Sequence, residues 1–424
     1  MKKTIALIMI LAMGLLVLNG CTAPKDENGT GNDKPITFDQ KDANGATPDK
    51  INAVVEANNK FSIDLYKRYS QKDENVFFSP YSVSTALAMT YEGARGKTAE
   101  EMQTVFYFPA EEIRRPGFAA LYNEINSNQK DFTLKTANAL WAEQDFTFLP
   151  DYFSLIGKYY GGKVTNMDFK RNPENSRVII NNWIENQTND KIKELLPQNP
   201  PVIKPDTRLV LTNAIYFKGT WKTQFDKKNT MEGNFFVKPD TQVKAQMMHL
   251  SGDDVKFSYG ETDEMQMLEL PYFGEELSML ILLLKDNNLE KIESSLSLEM
   301  INGLKANMKE QIISVTLPKF KFDTKYFMND DLKAMGMPTA FSMDADFSGM
   351  DGRLDLYIDN VIHQAFVEVN EEGTEAAAAT AVIMAENAVA MTPRFIANRP
   401  FIFIIQQKST GTILFMGKVM DPTK

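Results

Sequence analysis

The order in which hydrophobic periodicities run along this chain limits its fold more than any other feature. Helical spacing fills the first half, and strand-like runs fill the second. Ala53–Tyr69 has helical spacing. Ser79-Pro80 pairs an N-cap residue with a proline at the first helical position, ahead of Val83, Ala86, Leu87 and Met89. Thr98 to Glu101 has the T-x-x-E spacing of a capping box, Ile179, Ile180, Trp183 and Ile184 mark an apolar helix face, and Lys191–Leu196 reads as a further helical segment closed by Pro197. Strands are predicted at Arg208–Phe217, Leu277–Leu284, Ile312–Leu317, Val361–Val369, Phe401–Ile405 and Thr412–Val419, with a hairpin turn over Gln407–Gly411. Helices followed by strands predict an α+β fold. There is no internal repeat, so residues 51–424 read as a single domain.

The N-terminus reads as a targeting segment. Lys2 and Lys3 precede a short apolar stretch, Ile5–Leu18, which is too short to span a bilayer comfortably. Leu18-Asn19-Gly20-Cys21 follows and resembles the lipobox of prokaryotic lipoproteins, which predicts lipidation at Cys21 and a signal peptide over residues 1–20. Cys21 is the only cysteine, which suits an exported protein without disulfides. Residues 21–50 are rich in Asp, Asn, Gly, Lys, Pro and Thr and read as a disordered tether. These features predict a secreted protein held at the cell surface by lipid.

Composition narrows the chemistry. The net charge of -10, with no basic run, argues against nucleic acid as a partner. His249 and His363 are the only histidines, and no G-x-S-x-G, P-loop, G-x-G-x-x-G or H-E-x-x-H motif is present. No thiol nucleophile lies within the domain, and no calcium-loop spacing is seen. The chain is therefore not expected to be an enzyme or to need a metal or cofactor.

One run remains distinctive. Glu371-Glu372-Gly373-Thr374-Glu375-Ala376-Ala377-Ala378-Ala379-Thr380 follows the predicted strand Val361–Val369 directly. In isolation four alanines suit an exposed helix or loop. As a strand, however, Thr374, Ala376, Ala378, Thr380 and Val382 would share one face, and all are small or β-branched. Such a face can enter a packed sheet without burying a charge. The run resembles the hinge of inhibitory serpins. Asn75–Ser82, Gly93–Thr98, Leu211–Trp221, Leu317–Phe320, Asn398–Phe401 and Phe415–Val419 resemble further serpin signatures in the same order.

The resemblance implies helices packed on three β-sheets with an exposed reactive-centre loop. It implies that Ser79, Ser82, Asn213 and His363 form a polar cluster controlling the opening of the central sheet. It also implies that Lys319, Glu371 and Trp221 lie where the loop enters. The implied partner is a serine protease, captured as a covalent complex by a monomeric inhibitor. Counting forward from Glu371 sets the reactive bond at Asn387-Ala388, and counting back from Arg399 shifts it toward Val389. The candidates Glu386, Asn387, Ala388, Val389 and Ala390 include no basic or aromatic residue, which favours an elastase-like or subtilisin-like target over a trypsin-like one. The alternative is a non-inhibitory member that acts as a binding or carrier module.

Overall fold

The computed structural model describes residues 39–126, 131–253, 255–374 and 393–424. The signal peptide, the tether up to residue 38, and Cys21 lie outside the described residues. So do Glu375, Ala376, Ala377, Ala378, Ala379 and Thr380 of the hinge, and the reactive-bond candidates Glu386, Asn387, Ala388, Val389 and Ala390.

Six helices begin the fold: α1 (Pro48–Tyr69), α2 (Pro80–Gly93), α3 (Gly96–Phe106), α4 (Glu111–Asn126), α5 (Pro150–Tyr159) and α6 (Pro173–Gln187). Helix α1 starts before Ala53 because Thr47 caps the Lys50 N–H and Pro48 occupies the first turn. The Lys41 N–H donates to Asn123 Oδ1 at 2.7 Å, so residues packed on the domain include some before residue 51, where the domain was expected to start. Helix α2 opens as expected, with Ser79 Oγ accepting from the Ser82 N–H. It is buried on nearly every side, as a helix between two sheets must be.

Three β-sheets follow. The central sheet has the spatial order β12 (Phe320–Phe327), β13 (Asn360–Asn370), β14 (Gly373–Thr374), β4 (Leu209–Thr220), β2 (Phe132–Glu143), β3 (Lys163–Met167). A seven-stranded sheet runs β1 (Val76–Phe78), β17 (Ile413–Val419), β16 (Phe401–Gln407), β9 (Leu277–Leu284), β8 (Met265–Pro271), β7 (Lys256–Glu261), β10 (Lys309–Ile312). A four-stranded sheet runs β15 (Arg394–Ile396), β11 (Ser314–Pro318), β6 (Thr241–Leu250), β5 (Met231–Lys238). Strand β4 is buried on both faces. Leu211, Ile215 and Phe217 point into the main core, while Val210 and Ala214 join Trp141, Trp183 and Ile184 beneath α6.

Four local expectations are revised. Thr98 and Glu101 do not form a capping box: Gly96 starts α3 two residues earlier, with φ +50. Thr98 Oγ1 instead accepts from the Asp346 N–H, and Glu101 accepts from the Thr339 N–H and hydroxyl. On α6, Ile180, Trp183 and Ile184 face the sheet, but Ile179 is exposed. Lys191–Leu196 is irregular rather than helical, with Leu196 tied to Asn181 through both its N–H and its carbonyl. Ile312–Leu317 divides at buried Ile313 because the chain leaves β7 there and joins β6 in another sheet.

Candidate functional site

Two neighbouring strands of the central sheet, β13 and β4, part company along their length. They pair in parallel from Asn360↔Val210 to Ala365↔Ile215. Beyond that, among the described residues, no ladder pairs residues 366–368 with residues 216–218. At the far end a third segment lies between them: Gly373 and Thr374 pair antiparallel with Asn370 and Val369 on one side, and with Thr220 and Gly219 on the other. The arrangement is a slot, closed at one end and occupied at its mouth by Gly373 and Thr374.

The closed end is held by uncharged polar groups. The Ser79 N–H donates to His363 Nε2 at 3.0 Å, so that nitrogen carries a lone pair. His363 Nδ1 then bears the proton and donates to Asn213 Oδ1. Asn213 Nδ2 donates to Ser82 Oγ at 2.6 Å and to Asn138 Oδ1, and Ser82 Oγ donates to Asn138 Oδ1 at 2.9 Å. Ser79 Oγ reaches the Leu414 carbonyl at 2.6 Å, connecting the cluster to the seven-stranded sheet. Every member is buried. Burial depresses the His363 imidazole to about 3, so it is neutral at physiological pH. Each strand contributes one group to the bond that crosses the slot, and parting the strands breaks it.

The mouth is held differently. Lys319 Nζ contacts both Glu371 oxygens at 2.9 and 3.1 Å, and Thr230 Oγ1 donates to Glu371 Oε1 at 2.8 Å. Burial raises the Glu371 carboxyl, but these donors outweigh it and hold the group below its usual range. Lys227 Nζ lies 2.5 Å from Glu372, a hydrogen bond that raises the ammonium. The Phe225 and Trp221 N–H groups donate to the carbonyls of Glu371 and Glu372 at 2.9 and 2.8 Å. Trp221 stacks on Tyr272 at 4.6 Å, and its Nε1–H donates to the Asn370 carbonyl at 3.0 Å. Thr374 Oγ1 and Tyr272 Oη are 2.7 Å apart in the interior.

Gly373 is required by space as well as by its φ of +155. A Cβ there would lie 2.0 Å from the Gly219 carbonyl oxygen and 2.8 Å from Thr220 Cα.

The structure therefore brings together Ser79, Ser82, Asn213 and His363 at one end of the slot, and Lys319, Glu371 and Trp221 at the other. The hinge residues Glu371, Glu372, Gly373 and Thr374 are buried, Thr374 included, although exposure was expected from the residue after Gly373. Sequence reasoning did not include Asn138, Tyr272, Lys227 or Thr230. Asn138 lies on β2, a strand without a β-branched run, and no spacing signals it.

Comparison with known proteins places this geometry. The family model for "Serpin (serine protease inhibitor)" matches residues 56–422. An uncharacterised serpin-like protein of Thermococcus kodakarensis is 41% identical, over 100% of this chain and 99% of that one. The human leukocyte elastase inhibitor is 40% identical over 86% of this chain and 98% of its own length. Human thyroxine-binding globulin complexed with its hormone superimposes with a TM-score of 0.80 at 29% identity, covering 88% of this chain and 100% of that one. Uncleaved ovalbumin gives 0.79 at 29% identity, over 87% of this chain and 100% of that one. With that coverage, and with helices and three sheets arranged as in those structures, the chain belongs to the serpin family.

Proposed function

We propose that this protein is a suicide-substrate inhibitor of serine endopeptidases, secreted and held at the cell surface by lipid on Cys21. The observation that carries the inhibitory reading is the pair Gly373–Thr374, already seated in the mouth of a slot beyond which, among the described residues, no ladder joins 366–368 to 216–218. Continuing that register sets Ala376 between Val367 and Phe217, Ala378 between Ala365 and Ile215, and Thr380 between His363 and Asn213. The inward face of the entering strand would then be small or hydroxyl-bearing throughout. Thr380 would arrive where the bond across the closed end had to break.

In this mechanism the target's nucleophile attacks a bond near Asn387-Ala388 and forms an acyl-enzyme. Cleavage frees the segment after Thr374 to enter the slot. About ten new strand residues, at roughly 0.5–1.5 kcal/mol per hydrogen bond, supply on the order of 10 kcal/mol. That is comparable to the whole stability of a domain. It suffices to drag the attached protease and distort its oxyanion hole before deacylation. The candidates Glu386, Asn387, Ala388, Val389 and Ala390 suit a pocket for small side chains. The name of one relative, leukocyte elastase inhibitor, agrees with such a target.

The test is to mix residues 22–424 with elastase-like, subtilisin-like and trypsin-like proteases and run a denaturing gel. A covalent complex is expected with at least one of the first two, and mass spectrometry of the released C-terminal peptide would locate the bond. Cleavage by every protease without a complex would move the function to a non-inhibitory carrier.

A further inference from the structure

We propose that the end of the domain opposite the hinge seats directly on a lipid surface, with Leu149, Phe153 and Leu354 reaching into the interface. This rests on the reading of Cys21 as the lipid attachment point.

The position of these three side chains follows from the sheet. Gly373 pairs at the Thr220 end of β4, whereas Glu143 bonds Arg208 at the other end, about 36 Å away along twelve strand residues. Around that lower end the Phe146 N–H donates to the Glu143 carbonyl, the Leu149 N–H to the Met350 carbonyl at 2.7 Å, and the Phe153 N–H to the Leu149 carbonyl. Arg353 lies over the Phe146 ring at 4.4 Å and donates to the Asp145 carbonyl. Two chain segments thus meet at this end and present Leu149, Phe153 and Leu354 to solvent, at 40%, 39% and 67% exposure.

The occupant follows from size and attachment. The three side chains expose on the order of 300 Å², well under the roughly 800 Å² per partner of a stable protein interface. A weak interfacial contact is enough, however, when a lipid anchor already supplies a high local concentration. The described chain begins on the same helix that carries Phe153: the Asp42 N–H donates to the Lys158 carbonyl at 2.9 Å, and their side chains pair at 3.0 Å. Lys158 lies five residues, about 7.5 Å of helix, beyond Phe153. Residues 22–38 can extend to at most roughly 60 Å, ample for the seated arrangement. Of the neighbouring cations, Lys170, Arg171 and Arg353 are paired with Asp145, Asp168 and Asp351, and Arg208 lies over the Phe146 ring and donates to the Asp355 carbonyl. The contact is therefore apolar and independent of anionic lipid. Seated this way, the domain holds its hinge away from the membrane.

The test uses the lipidated full chain in phosphatidylcholine vesicles. Because lipidation occupies the thiol of Cys21, Phe153→Cys or Phe273→Cys adds the only labelling site. A nitroxide at 153 is expected to gain oxygen accessibility and lose accessibility to a water-soluble nickel chelate. The label at 273, on the hinge side, stays in water. Equal chelate accessibility at both positions overturns the proposal. Independently, unlipidated residues 22–424 should partition weakly into the same vesicles. Leu149→Asp, Phe153→Asp and Leu354→Asp together should weaken that partition by about tenfold or more, with unchanged protease trapping in solution. No change in partition, or a concentration-dependent dimer abolished by the same substitutions, also overturns it. An intact mass lacking lipid on Cys21 removes the anchor reading alone, and the partition of residues 22–424 still decides the surface.

Discussion

The two ends of the slot between β13 and β4 solve the same problem with opposite chemistry. At the closed end, Ser79, Ser82, Asn138, Asn213 and His363 are neutral and buried, and they bond to one another. At the mouth, carboxylates meet lysines whose side chains are 38% and 60% exposed. Buried neutral groups lose a full desolvation penalty when a partner is withdrawn, while at the mouth the lysine of each pair stays solvated and the buried carboxylate keeps further contacts, Glu371 with Thr230, so less is lost. The closed end therefore resists parting, and the mouth can be remodelled. The contrast teaches that, on the proposed mechanism, the mouth is the end at which the sheet would open.

The change expected to separate the two ends most sharply is Thr374→Arg. It puts a guanidinium where Thr374 lies buried against Tyr272, so the hinge can no longer seat. The variant should still be cleaved by the target but form no covalent complex on a denaturing gel. Trapping equal to that of the parent would sink the insertion mechanism.

Next in size is Asn138→Ala at the closed end. It removes the acceptor shared by Ser82 and Asn213 and should destabilise the native state by about 2–3 kcal/mol, read as a lower urea midpoint. A loss no greater than that of a surface variant would remove the distinction between the two ends.

The closed end should also carry a pH signature that sets in at a higher pH than that of Glu371 at the mouth, which is lowered from 4.5. Burial depresses the His363 imidazole from 6.5 to about 3, so between those values the unfolded chain binds a proton that the folded one refuses. Its contribution is whole above pH 6.5 and is lost as pH falls toward 3, by up to about 1.4 kcal/mol per unit. His363→Asn should flatten that part of the stability profile, and an unchanged slope would place the titration elsewhere.

The smallest expected effect is Lys319→Ala at the mouth. Because the lysine is substantially exposed and the buried Glu371 keeps Thr230, the loss should be about 1–2 kcal/mol, seen as a small drop in melting temperature. A loss larger than that of Asn138→Ala would reverse the comparison.

How much of this was legible in the sequence depends on which signals are local. Strand β9, with every residue buried, announces itself as an apolar run, and Ser79-Pro80 announces the start of α2. Strand β2 does not. Its Ala137 and Ala139 are small because they lie beneath α6, so tertiary packing, rather than strand preference, chose them. Asn138 disappears with it, although it accepts from two members of the cluster. The capping-box spacing at Thr98–Glu101 misled for a related reason: both side chains serve a segment about 240 residues away. Ser79 and His363, or Lys319 and Glu371, have no spacing in common. Only the family resemblance joined them, and the strand register explains why they meet.

The parallel pairing of β4 with β13 has a kinetic consequence. Asn213 and His363 are 150 residues apart, whereas Gly373 follows β13 after a two-residue turn. Closing the slot is thus a remote encounter, while folding the hinge back along β13 is a neighbourly one, and remote encounters are slow. A chain released whole from denaturant meets its own hinge first. A chain threaded out from its N-terminus presents β4 long before β13 exists. Which of these routes the molecule travels, rather than which final arrangement is lowest in energy, decides whether it is born ready to act.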